Sequence, residues 1–274
     1  GANVTIIARN QSKLVSAVEK IKKVSKSGYV AAISSDTSDW TSINNAMQQA
    51  TTDSPNKRID AVIISAGVTY PKMLADTPHQ EISKLVNINF TGAVFAAKAA
   101  VPHMKHKEHS RLVFVSSMAM VVGSPGYAVY TGTKVALRGF AESIMIELSP
   151  YNIASQIIIP PDVDTPMYEA EQKIKCEECK LMSEGYGIVQ PELVSARIMA
   201  GLKSWRFFVP IGSDANLATY GIAGLSPGSF TEVLLQPIFM PIVRLVALSF
   251  DMPKMYKVVM TVFNKNNSNK NKND

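Results

Sequence analysis

Cysteine is almost absent: there are two in 274 residues, Cys176 and Cys179, in one Cys-Glu-Glu-Cys run. Without a second pair, a four-ligand zinc site is excluded. The run also lacks the thioredoxin-like context that a redox dithiol wants, so both are expected as free thiols in a reducing compartment. Histidine is scarce as well. His103, His106 and His109, with Glu108 beside them, read as a solvated helix end rather than a metal face, and no metal is expected. No basic stripe interleaved with aromatics is present, so the net charge of +6 does not point to nucleic acid. Part of that excess is Lys265, Lys270 and Lys272 in the tail, which suits solvent or an anionic membrane surface. No secretory signal is visible. The most apolar stretch, residues 230–250, is a poor spanning helix because Pro237, Pro241 and Arg244 break it. It reads instead as a subunit interface, an interfacial helix or a re-entrant segment.

What is present is an ordinary globular composition, 46% hydrophobic and 18% charged, enough for one large α/β domain. Strands are expected at residues 4–8, 29–33, 60–64, 112–115, 157–159 and 207–209. Helices are expected after Ser12, which can cap the first of them, from about Asp39, and at 82–104, 129–148 and 191–203. This alternation implies a doubly wound parallel sheet covered on both faces, with ligands at the carboxyl ends of its strands. Arg9, Asp36, Ser65-Ala66-Gly67, Ser117 and Pro160-Pro161 fall at those ends. Residues 165–190 have no strong pattern and read as a lid or binding loop. Three regions follow: a catalytic domain over 1–212, an apolar membrane-associated or interface region over 213–263, and a tail of Asn and Lys over 264–274 expected to be disordered.

Tyr130 and Lys134, four residues apart, share one helix face. An ammonium beside a phenol is expected to lower the phenol's pKa, and such a phenol exchanges a proton with a carbonyl or hydroxyl oxygen during hydride transfer. The pair alone is close to a chance match. Ser117, thirteen residues earlier at a strand end, adds a hydroxyl for the same substrate oxygen. Asn89, inside the preceding long helix, adds an amide able to break the regular helix and hold a water near the lysine. Four such residues together point to one site.

Ser117, Tyr130, Lys134 and Asn89 resemble the catalytic tetrad of the short-chain dehydrogenases/reductases, and the likeness runs from Gly1 to about Gly212. The resemblance implies a Rossmann-like fold. It makes Tyr130 the general acid for ketone reduction. Lys134 would lower its pKa and hold the nicotinamide ribose, Ser117 would orient the carbonyl, and Asn89 would support the proton relay. Asp36 matches the residue that receives the adenine, and Thr165 the threonine that contacts the carboxamide. Ala66-Gly67 matches the end of an Asn-Asn-Ala-Gly turn in which Ile64-Ser65 stand here for the two asparagines. Pro160-Pro161 stands where the family has Pro-Gly. Arg9 ends the strand where an acidic residue would bind the ribose of NAD. A cation there suits a 2′-phosphate, so NADPH is the expected cofactor. The family's Gly-rich pyrophosphate turn, with the first strand and helix, is expected to lie before Gly1, so this stretch is expected to hold NADPH poorly.

A closer likeness lies within the family. Ala8-Arg9-Asn10, Val113-Phe114-Val115-Ser116-Ser117 and above all Pro160-Pro161-Asp162-Val163-Asp164-Thr165-Pro166 resemble the reductases of long-chain keto bases. That implies NADPH-dependent reduction of the 3-keto group of 3-dehydrosphinganine in sphingolipid synthesis. It also implies an enzyme of the endoplasmic reticulum membrane with its active site facing the cytosol. Met167, Tyr168 and Met182 are candidates to line an apolar entry for a lipid substrate. In this family the two long helices often form a dimer face, so a homodimer is among the expected partners. Two other readings stand beside this one: a reductase of steroid or retinoid carbonyls, and, with Gly1 as a genuine start, a non-catalytic membrane-associated scaffold.

Overall fold

The computed structural model describes residues 1–25, 28–105, 109–183, 187–204, 206–222, 226, 228 and 230–270. His106, Glu108 and Lys272 lie outside the described residues. The chain alternates β1 Val4–Ala8, α1 Gln11–Val24, β2 Val30–Ser34, α2 Trp40–Asp53 and β3 Ala61–Ile64. The first long helix follows in two parts, α3 His79–Val86 and α4 Gly92–Met104, joined by a π-helical turn at Asn87–Thr91. Next come β4 Ser110–Val115, α5 Ala128–Leu148, β5 Ile153–Ile159, α6 Pro166–Ile174, α7 Glu177–Ser183, α8 Pro191–Leu202 and β6 Phe208–Pro210. Three helices complete the described chain: α9 Ser213–Ile222, α10 Phe230–Val246 and α11 Met252–Lys270.

Every strand pairing is parallel, as the βα alternation requires. Leu112, Val113 and Phe114 of β4 and Ile157, Ile158 and Ile159 of β5 are all 0% exposed, so these central strands are covered on both faces. Leu112, Phe114, Ile157 and Ile159 point into the larger core, beside the small face of α4 made by Ala93, Ala96, Ala97 and Ala100. Val113 and Ile158 point the other way, toward Val194, Ile198 and Leu202 of α8. The sheet is split, however. β1–β2 form one piece and β3–β4–β5–β6 another. Between them lies a cavity of about 440 Å³ lined by Thr5 and Ile7 of β1 and by Val62 and Ile64 of β3.

Several expectations are corrected by the structure. The cap of α1 is Asn10, whose Oδ1 accepts from Lys13 N at 2.9 Å; Ser12 only donates to that oxygen, at 2.8 Å. β5 starts four residues earlier than periodicity suggested, at Ile153, because its buried polar residues disguise it. There the Gln156 Nε2 donates toward the carbonyls of Gly201, Ser204 and Arg206, while its Oε1 is buried without a partner. The described part of residues 165–190, read as a lid or binding loop, carries two helices, α6 and α7, and a Val163–Val189 bridge. Thr165 caps α6 and Pro166 opens it, a favourable start that hydrophobic periodicity does not register. The tail is helical to Lys270, since a helix already nucleated in the apolar 252–263 stretch extends at the cost of ordering one residue per bond.

Pro237 and Pro241 do not break α10, which passes through both and continues by a π turn at Ala247–Asp251 into α11. The helical span Val233–Asn266 is long and apolar enough to cross a membrane, and its most apolar window is unburied. The other span that meets the same test, His79–Met104, is a core helix, 44% buried. α10 lies on α9 with Tyr220 stacked on Phe239, ring centroids 5.3 Å apart. α11 reaches α7, where Lys265 pairs with Glu177 at 2.6 Å.

Candidate active site

Ser117 stands just past the carboxyl end of β4, and its Oγ accepts from Ala119 N at 3.1 Å. Tyr130 lies in the first turn of α5, with its hydroxyl close enough to the Ser117 side chain to feel it. Lys134 follows one turn later. It is 5% exposed, and its Nζ donates to Val115 O at 3.0 Å and sits 5.6 Å from the centre of the Tyr130 ring. Ser116 Oγ donates to Lys134 O at 3.3 Å and fixes that turn of α5 against β4. Asn89, fully buried in the π turn, spends its amide on structure. Its Nδ2 donates to Val68 O at 2.9 Å and Thr133 Oγ1 at 3.2 Å, and its Oδ1 accepts from Val68 N at 2.8 Å. Both amide hydrogens are therefore used, which leaves the side chain none for a water.

The electrostatics of the pair reverse one expectation. The Tyr130 phenol is not lowered but pushed up to about 12, chiefly by burial. The nearby Ser117 hydroxyl opposes the rise, and the charges of Glu171 and Asp162 add to it. Burial brings the Lys134 ammonium down to about 8. The lysine is committed to the Val115 carbonyl, so in this arrangement desolvation outweighs its pull on the phenol.

Gly67 closes the site below. A Cβ there would stand 3.5 Å from Asn89 Oδ1 and 3.6 Å from Lys134 Nζ, so the bare glycine leaves a shallow cradle over both groups. Ala66, next to it, lines the cavity between the two sheet pieces. Pro161 follows β5, and the preceding carbonyl, Pro160 O, accepts from Met118 N at 2.9 Å, which ties this turn to Ser117. Thr165 Oγ1 accepts from Tyr168 N and donates to Val163 O, each at 3.2 Å. Arg9 and Asp36 are neighbours at the ends of β1 and β2, 3.7 Å apart, with the Arg9 side chain 61% exposed. The Asp36 carboxyl lies below its ordinary range, first because Ser38 Oγ donates to it at 2.7 Å.

A second cluster went unread in the sequence. Tyr127 OH donates to Glu171, whose carboxylate lies 3.5 Å from Lys175 Nζ, and the Tyr127 ring centre is 6.1 Å from that of Tyr130. Burial raises both the Tyr127 phenol and the Glu171 carboxyl. The four-residue spacing of Glu171 and Lys175 was the available signal; nothing local tied them to Tyr127, 44 residues away.

Comparison with known proteins agrees with this geometry. The short chain dehydrogenase family matches residues 1–175. A 3-ketodihydrosphingosine reductase of Bos taurus is 34% identical over 91% of this chain and 76% of its own length. A 3-dehydrosphinganine reductase of Danio rerio is 33% identical over the same shares, and a 3-ketodihydrosphingosine reductase of Dictyostelium discoideum 30% over 86% and 75%. A parallel α/β sheet, a Tyr–Lys pair beside a strand-end serine, and these matches make the chain a member of the short-chain dehydrogenases, oxidoreductases that act on small molecules with a nicotinamide cofactor.

Proposed function

We propose that this enzyme reduces the 3-keto group of 3-dehydrosphinganine with NADPH, the reaction its relatives' names describe, at the site formed by Ser117, Tyr130 and Lys134. The observation that carries the chemistry is the Tyr130 hydroxyl beside Ser117 and a buried lysine. Two neighbouring hydroxyls can converge on one substrate oxygen. A phenol pushed up to about 12 is fully protonated near neutral pH and has its proton to give. An alkoxide is more basic than a phenolate, so proton transfer to the reduced carbonyl oxygen runs downhill. Lys134, one turn away, offsets the negative charge left on the phenol. Asn89 acts through Thr133 as a positioning residue.

The residues present fit a phosphorylated nicotinamide nucleotide at two points. Gly67 leaves its cradle open beside Lys134, which suits a ribose. Arg9 is mostly exposed and only loosely paired with Asp36, so its guanidinium keeps donors for a 2′-phosphate while Asp36 offers an acceptor for the adenine. Thr165 and Pro161 are the residues that would hold the nucleotide's carboxamide. When bound, the cofactor supplies the hydride.

The unburied apolar helix α10–α11 supports arrival of the long-chain substrate from a bilayer; we assign that bilayer to the endoplasmic reticulum, with the site on the cytosolic side, from the reaction alone. The division into a catalytic region over 1–212 and an apolar region beyond it follows the same reading. The test is a substrate panel. NADPH oxidation with 3-dehydrosphinganine and none with steroid or retinoid carbonyls supports the proposal; the reverse pattern sinks it.

A further inference from the structure

The Cys-Glu-Glu-Cys run takes no part in that reduction, yet it packs against the turn that leads into α5. Cys176 and Cys179 are free thiols with their sulfurs 2.7 Å apart. A disulfide needs about 2.05 Å, so a small side-chain shift closes one. Cys179 is 0% exposed and its thiol donates to Pro125 O at 3.1 Å. Cys176 is half-buried and open to solvent on one side, and its amide donates to Pro71 O at 3.2 Å. Opposite them stands Gly126 at φ +80°, where a Cβ would overlap both sulfurs. The pair therefore joins three segments: the loop after β3, the turn that starts α5, and the α6–α7 lid. Gly126 adjoins Tyr127, which bonds Glu171 of the lid and packs against Tyr130.

We propose that Cys176 and Cys179 form a thiol–disulfide exchange site for low-molecular-weight disulfides, and that the intrachain disulfide releases the lid from the start of α5 and lowers turnover. The Cys176 thiolate attacks a small disulfide, forming a mixed disulfide and expelling one small thiolate, which takes up the proton Cys176 has lost. Cys179 then gives up its proton, attacks the Cys176 sulfur and expels the second small thiolate, which is protonated in turn. Two protein thiols are oxidised and one small disulfide is reduced to two thiols. The order follows from exposure. The lid loosens because a disulfide sulfur has no hydrogen for Pro125 O, so that buried bond is lost.

The experiment titrates the purified chain with oxidised glutathione at neutral pH. It reads intact mass after thiol trapping, proteolysis of residues 165–183, and NADPH turnover. In wild type the two thiols are expected to disappear together, with a mass loss of two hydrogens reversed by dithiothreitol. Lid cleavage should be about tenfold faster, the shift that loss of one buried hydrogen bond produces, and turnover should fall. Cys179→Ser should stop at a stable glutathione adduct on Cys176, and Cys176→Ser should gain neither adduct nor disulfide while keeping its basal activity. Thiols that resist the oxidant overturn the site. A disulfide that forms without faster lid cleavage overturns the coupling. Mass and cleavage are read without substrate, so they stand apart from the fate of the proposed reaction.

Discussion

Asn89 and Thr133 couple the two long helices of the site: Asn89 Nδ2 donates to Thr133 Oγ1 at 3.2 Å, and Thr133 Oγ1 donates to the Tyr130 carbonyl at 2.7 Å. The same amide pairs with both backbone groups of Val68, so the turn after β3, the π turn and α5 are set by one side chain. Asn89→Ala strands buried partners on all three and should cost about 2–4 kcal/mol of stability. Thr133→Val leaves the Val68 bonds intact and should cost about 1 kcal/mol while lowering kcat more than it raises KM. Urea unfolding and steady-state kinetics on both variants check this. Equal losses of stability from the two would show that the Val68 bonds carry no weight.

Tyr130→Phe removes the proton donor and keeps the ring beside Lys134. Reduction should fall by about 10²–10⁴-fold, the usual worth of a positioned general acid, with NADPH affinity within about twofold of wild type because the ring and Lys134 remain. Turnover and nucleotide binding measured on the same preparation separate the two. Retained turnover refutes the role given to Tyr130.

Much of this site was legible because its signals are local. Tyr130 and Lys134 are one helical turn apart, and Ser117 and Gly67 each follow an apolar strand, so spacing alone put them at the same end of the sheet. The π turn at Asn89 was foreseeable as a break, but the complete use of its amide was not, since Val68 and Thr133 lie 21 and 44 residues away. The direction of the Tyr130 shift depends on burial, which no motif encodes. The early start of β5 was hidden because Ser155 and Gln156 are buried polar residues, and the carbonyls that Gln156 meets belong to a distant segment. The apolar helix looked broken because proline removes a helical hydrogen bond and usually ends or kinks a helix, yet α10 runs through both prolines.

Arg9 tests the cofactor. It is exposed and holds Asp36 only at 3.7 Å, so Arg9→Ala should disturb the fold little. Loss of one charge-assisted contact to a 2′-phosphate should raise the NADPH KM about 10- to 100-fold, while the NADH KM changes little. Parallel kinetics with both nucleotides decide the point. An equal loss with both would assign Arg9 to something other than the 2′-phosphate.

Lys134 sets a pH limit. Its ammonium, brought down to about 8, is charged at neutral pH and discharged above it, while Tyr130 at about 12 stays protonated. Reduction should therefore fall as pH rises through about 8, and Lys134→Met should lack this limb. Stability should move the other way. The unfolded lysine titrates near 10.4, so between about 8 and 10.4 the unfolded state binds more protons and the folded state gains as pH rises. A pH–rate profile beside urea unfolding at neutral and alkaline pH reads both. A rate and a stability that fall together would mean that another group titrates.

The helix α10–α11 tests the membrane reading. Leu245 is 66% and Phe250 70% exposed, within a span whose most apolar window is unburied, far more apolar surface than a single-copy soluble protein usually leaves open. The far end is anchored by Lys265 on Glu177, so the helix lies beside the lid that borders Tyr130. A bilayer that received this face would hold the mouth of the site at its surface, where a long-chain ketone resides. The chain should float with phosphatidylcholine vesicles, and the double substitution Leu245→Glu and Phe250→Glu should release it and raise KM for a long-chain ketone. The kcat on a short, water-soluble ketone should be unchanged, since neither residue nears Tyr130. Flotation that survives the double substitution would move the attachment elsewhere, and a loss of kcat on the short ketone would mean the helix serves the catalytic body rather than a membrane.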